Sequence, residues 1–113
     1  PELPALFGSR DATIDAALRH GRRLADPLWP MPLWNGYDDE ISSKVADLNN
    51  VSGSTFAGAI IGGLFLRRFV TETPDWLHLD LYGWNPKDRP GRPVGAEPQA
   101  VRALHALLVE RFG

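Results

Sequence analysis

FAGAIIGGLFLRRFVTETPDWLHLDLYGW, Phe56–Trp84, sets two hydrophobic periods side by side. Its first part, from about Thr55 to Phe69, is apolar almost all round and predicts a buried central helix. Its second part, Trp76–Tyr82, alternates and predicts a strand. One strand face carries Trp76, His78, Asp80 and Tyr82; the other carries Leu77, Leu79 and Leu81. Gly53, Gly58, Gly62 and Gly63 each cost up to about 1 kcal/mol where they fall inside a helix. Small residues on one face would offset that by letting another backbone approach.

Upstream of this stretch, Val45–Leu48 is a short strand candidate, ended by Asn49-Asn50. Strand, helix and strand in succession point to α/β layering. Two short strands make a poor sheet alone, so they are expected to belong to a larger one. Downstream, Gly83–Pro98 is a long loop rich in proline and glycine, and loops of this length are often functional. Pro98–Phe112 reads as an amphipathic helix with Val101, Leu104, Leu107 and Leu108 on its buried stripe.

Toward the start, residues 1–9 read as a leading loop with two prolines. Asp11–Leu24 predicts a helix with Ile14, Ala17, Leu18 and Leu24 as its apolar stripe. Ser9 or Asp11 could cap it. Arg19, Arg22 and Arg23 sit toward its C-terminus, where the dipole favours cations. Asp26–Trp34, DPLWPMPLW, is excluded from helix by three prolines. It is expected to be a packed loop that buries its two tryptophans. A short helical turn is expected over Tyr37–Ser43.

The 113 residues suit one small domain, and 43% apolar with 23% charged residues is the balance of a globular protein. A formal net charge of −2, with cations scattered except for Arg22-Arg23 and Arg67-Arg68, offers no footprint for nucleic acid or an anionic membrane. Those doublets read as solvated helix ends. With no cysteine, disulfides, thiolate zinc sites and cysteine nucleophiles are excluded, and a reducing compartment fits. The longest apolar run, Ala57 to Leu66, is far short of the about 20 residues of a membrane span. Pro1 rather than Met opens the chain, so a trimmed or excised piece is expected.

Candidate chemistry is sparse. His78 and Asp80 share a strand face, where they could meet one metal or form an acid/base pair; a structural pair is the favoured reading. Asp38-Asp39-Glu40 reads as a solvated first turn rather than a metal site. SGSTFAG, Ser52–Gly58, resembles an anion-binding loop at a helix start, but it lacks the lysine and spacing of a P-loop, and tight backbone packing is favoured. His20 and His105 are expected on helix surfaces. No nucleophile, base and electrophile assemble from these residues.

Five segments, in order, resemble the C-terminal part of the leucyl aminopeptidase (cytosol aminopeptidase) family. DPLWPMPLW at Asp26–Trp34 is similar to its Trp-Pro-Leu-Pro-Leu-Trp segment, and KVADLNN at Lys44–Asn50 to its Val-Ala-Asp-Leu-Lys-Asn strand. FAGAIIGGLFLRRFV at Phe56–Val70 resembles its Gly/Ala-rich helix, and WLHLDLYGW at Trp76–Trp84 its His-Leu-Asp strand and turn. Gly91-Arg92-Pro93 and the closing helix follow.

The resemblance implies an α/β fold: the C-terminal portion of a three-layer, mixed-sheet, zinc-exopeptidase-like catalytic domain with an incomplete sheet, spanning residues 1–113. It implies a parent enzyme that removes N-terminal residues from peptides with two divalent ions, zinc or manganese, which polarise the scissile carbonyl and activate a bridging water. The family's Asn-Thr-Asp-Ala-Glu-Gly-Arg motif is absent here, so no catalytic residue or metal ligand carries onto this chain. The carried-over substrate-binding positions are Leu81, Tyr82, Gly83 and Asn85, lining the pocket for the substrate's first side chain. Tyr82 stands where the family commonly has a small residue and Asn85 where it has an apolar one. Thr55 replaces a frequent arginine and Phe56 an alanine, the marks of a divergent branch. Cytoplasmic location and a homo-oligomer, hexameric in the family, are also implied. The rival expectation is a non-catalytic interaction module that binds a partner through an uncovered sheet edge.

Overall fold

The computed structural model describes residues 2–113; Pro1 lies outside them. Its organising strand is β1 (Ala5–Gly8), inside the segment expected to be a leading loop. β1 is the middle of three strands, with β2 (Trp29–Pro30) parallel on one side and β3 (Leu77–Asp80) antiparallel on the other. Leu6 lies opposite Leu79 and Phe7 opposite His78. The sheet is therefore mixed. Four residues between Pro4 and Ser9 are too short to show a period, yet Leu6 and Phe7 are each 0% exposed.

Strand alternation sends these two side chains to opposite faces. Leu6 joins Ala17 and Leu18 of α1 (Asp11–Arg23) with Ala103 and Leu107 of α3 (Val101–Phe112), and Leu77 and Leu79 pack on the same cluster. Phe7 faces α2 (Gly58–Arg67): a Cβ built on Gly63 would lie 3.5 Å from the Phe7 ring and 2.9 Å from Leu33. A second cluster, centred on Ile41, Ile61 and Leu64, ties α2 to a 3-10 helix over Asn35–Ile41. Two helices, a mixed sheet and a third helix make the three-layer α/β build.

Several expectations are corrected. Val45–Leu48 is not a strand: the Ser43 hydroxyl accepts the Val45 and Ala46 N–H groups at 3.2 and 3.0 Å, which bends the chain, and Val45 is 97% exposed. α2 starts at Gly58 because Ala57 is left-handed (φ 59°). It is covered on one side only, by way of Ile61, Gly63 and Leu64, while Phe56, Leu66 and Phe69 stay exposed. A Cβ added at Gly53, Gly58 or Gly62 would meet open space, so close approach explains Gly63 alone. Trp29 and Trp34 are half-exposed; Leu28 and Leu33 are the residues of that loop that pack on the two core clusters, and the Trp34 ring meets Tyr37 edge-on. Neither Ser9 nor Asp11 caps α1. Ser9 instead accepts the Trp76 N–H at 3.0 Å and donates to the Pro74 carbonyl at 3.2 Å, tying β1 to β3. The acidic run is not simply solvated, since Asp38 pairs with Arg67 and Arg68. His20 is 4% exposed rather than on the surface: its Nε2 meets Glu110 of α3 in a short contact.

One long-range contact fixes α3. Asp26 is buried, and its carboxylate accepts the N–H groups of Ala100, Arg102 and Ala103 at 3.0, 3.0 and 3.1 Å. A side chain from the segment after α1 thus caps a helix far along the chain, supplying the acceptors its first turn lacks.

Candidate functional site

β3 ends at Asp80, and the chain emerges from the sheet through Leu81, Tyr82 and Gly83. Leu81 is 44% and Tyr82 61% exposed. Gly83 turns the chain in the left-handed region (φ 69°), where a side chain is strained, and a Cβ there would also crowd Leu81 at 3.3 Å. Both backbone groups of Gly83 are held: its N–H donates to the Gln99 side-chain oxygen at 3.1 Å, and its carbonyl accepts the Glu97 N–H at 3.0 Å.

The Gly83–Pro98 segment, expected to be a loop, is a small hairpin. β4 (Trp84–Asn85) pairs antiparallel with β5 (Gly95–Ala96), and Arg89 and Arg92 exchange backbone hydrogen bonds of 2.9 and 2.8 Å around a tip at Pro90-Gly91. Strands of two residues cannot hold such a shape by themselves. The side chains inside it do. Asn85 is 1% exposed; its amide donates to the Arg92 and Pro93 carbonyls at 2.7 and 2.8 Å, and its oxygen accepts Arg89 Nε at 3.2 Å. Glu97 pairs with Arg89 at 3.0 Å and with Arg92 in a shorter contact. Arg92 and Arg102 both donate to the Ala25 carbonyl, which ties the hairpin back to the end of α1.

Of the four residues expected to bind substrate, Leu81, Tyr82 and Gly83 therefore lie together on an accessible turn. Asn85 follows Gly83 by two positions, but its amide is committed inside the hairpin rather than presented outward. Arg89, Glu97 and Gln99 escaped the sequence reading, and Arg92 entered it only within the Gly91-Arg92-Pro93 match. The signal available was the charged, proline-punctuated spacing of DRPGRP ahead of Glu97, which is legible only once the two ends of the segment are known to meet.

His78 and Asp80 do not converge on a site. The His78 ring stacks on Phe7, with centroids 5.8 Å apart and planes 19° apart, which is a packing role. Among the described residues, no group of three or more His, Asp or Glu side chains could hold a metal ion. The donors among the described residues do not make a site for the two divalent ions that the resemblance implies. Among the described residues no helix is long and apolar enough to cross a membrane.

A mixed sheet between helical layers, with a stapled hairpin and an accessible turn where a strand leaves the sheet, is the build of a layered α/β domain. Comparison with known proteins makes this specific. The model of the cytosol aminopeptidase family, catalytic domain, matches residues 1–105, and the chain belongs to that family. The crystal structure of the cytosol aminopeptidase from Coxiella burnetii superposes with a TM-score of 0.94 and 42% identity, over 100% of this chain and 25% of that one. A probable cytosol aminopeptidase of Syntrophobacter fumaroxidans is 40% identical over 110 residues, 96% of this chain and 22% of its own length. The bottromycin maturation enzyme BotP, solved in complex with Mn, has a TM-score of 0.91 and 28% identity over 97% of this chain and 25% of that one. The chain thus spans a quarter or less of the length of these relatives.

Proposed function

We propose that this chain works as one part of a metal-dependent aminopeptidase that removes N-terminal residues from peptides in the cytoplasm. The family match over residues 1–105 carries the reading. In it, the two divalent ions, zinc or manganese, are held by polypeptide outside this chain, and a homo-oligomer is the working form. The chain contributes the sheet core and a wall of the pocket for the substrate's first side chain. Leu81 and the Tyr82 ring give that wall its apolar surface, Gly83 gives it its turn, and Asn85 holds it from behind. A ring at Tyr82 takes up volume, which favours substrates with smaller first side chains than an open pocket would accept.

The test compares the full-length enzyme containing this sequence with the 113-residue chain alone, using leucine p-nitroanilide and added Mn²⁺. Turnover is expected from the former and none from the latter. Metal-dependent hydrolysis by the isolated chain would sink the division of labour proposed here.

A further inference from the structure

A largely buried carboxylate clamped by two guanidinium groups is costly to desolvate, so its place in a surface hairpin calls for a reason beyond the ion pairs themselves. Glu97 is such a group. Its side chain is 9% exposed, against 28% for Arg89 and 35% for Arg92. Its backbone N–H also holds the Gly83 carbonyl, so one residue joins the hairpin's charged centre to the turn that carries Tyr82. Asn85 completes the link by bonding Arg89 on one side and the Arg92 and Pro93 carbonyls on the other.

We propose that Glu97 is a positioning residue for substrate selectivity: clamped between Arg89 and Arg92, it holds the hairpin so that the Leu81–Gly83 turn keeps one shape. This rests on the reading of that turn as a pocket wall. Without the Glu97 charge, the two guanidinium groups lose the anion between them and keep only neutral acceptors in the hairpin and its base, the Asn85 oxygen for Arg89 and the Ala25 carbonyl for Arg92, and their repulsion loosens the pairing of β4 with β5. The Gly83 turn then loses the geometry of its carbonyl bond. Glu97 touches neither substrate nor reacting atoms in this scheme; it acts through the turn.

The test uses the full-length enzyme and the ratio of kcat/KM for leucine p-nitroanilide to that for alanine p-nitroanilide. A general structural loss lowers both by one factor and leaves the ratio alone. In Glu97→Gln the ratio is expected to move by about tenfold, the scale at which a pocket distinguishes side chains differing by one methylene. Arg89→Lys keeps the charge balance but replaces the guanidinium fork that bonds Asn85 and Glu97 together with a single ammonium, so it is the second variant, read the same way if Glu97→Gln does not fold; a shift in the same direction is expected. An unchanged ratio in the folded variants overturns this inference alone. A wild-type enzyme without aminopeptidase activity overturns the proposed function instead.

Discussion

Single carboxylates do much of the joining in this chain. Asp75 accepts the Thr13 hydroxyl at 2.9 Å and Arg111 at 2.7 Å, and Glu110 accepts Arg19 and His20. Each links elements distant in sequence. The Thr13 hydrogen bond first, then Arg111, holds the Asp75 carboxyl below its ordinary value of 3.8; Arg19 and then His20 do the same for Glu110, below 4.5. A lowered carboxyl favours the fold when ionised. The resulting stability is complete above the ordinary value and is lost as pH falls through the lower, folded one. Urea midpoints at about pH 5 and about pH 2.5 are therefore expected to differ less in Asp75→Asn than in the wild type, because the amide does not titrate. An equal drop in both proteins would remove Asp75 from the account of acid sensitivity.

Elements are placed by contacts that their own sequences do not announce. α3 has no side-chain cap of its own, and Ala100 at its start is left-handed with φ 68°. Asp26 supplies the missing acceptors from the segment after α1, which itself folds back through Ala25 at φ 51°. Gly21 permits that return: a Cβ there would stand 2.7 Å from the Asp26 carbonyl oxygen, a backbone atom with no room to yield. Removing the cap leaves buried N–H groups without acceptors. Asp26→Ala is expected to lower stability by about 2–4 kcal/mol, read as a fall in the urea midpoint at constant slope. A change under about 0.5 kcal/mol would mean that water or another group takes over. α1 and α3 follow from strong 3.6-residue patterns, and β3 from alternation over Leu77–Asp80. β1 was hidden because burial on both faces removes the alternation that identifies a strand, and Val45–Leu48 misled because its apolar residues have no strand beside them to pair with.

At the scale of the whole molecule the chain is a slab. Its extents are 49 × 35 × 18 Å and its radius of gyration is 15.8 Å, where a compact chain of this length has about 13 Å. Flatness leaves large apolar side chains uncovered, among them Val45, Val51, Phe56, Phe69 and Phe112, each at least 65% exposed. Surface of that kind associates in water. The isolated 113-residue chain is expected to self-associate with rising concentration in sedimentation velocity and to bind a hydrophobic dye; a monodisperse, dye-silent monomer would show that the slab needs no cover. The sequence by itself determined the class, through α/β periodicity and a family resemblance carried by five ordered segments. Hydrophobic period and motif order are local properties and survive in one dimension. Only the tertiary structure decided that Ala5–Gly8 is the central strand, that Asp26 caps α3, and that Glu97 and Asn85 staple the hairpin behind Tyr82. Those depend on which distant residues meet, and a hydrogen bond or ion pair between segments leaves no period in the chain that makes it.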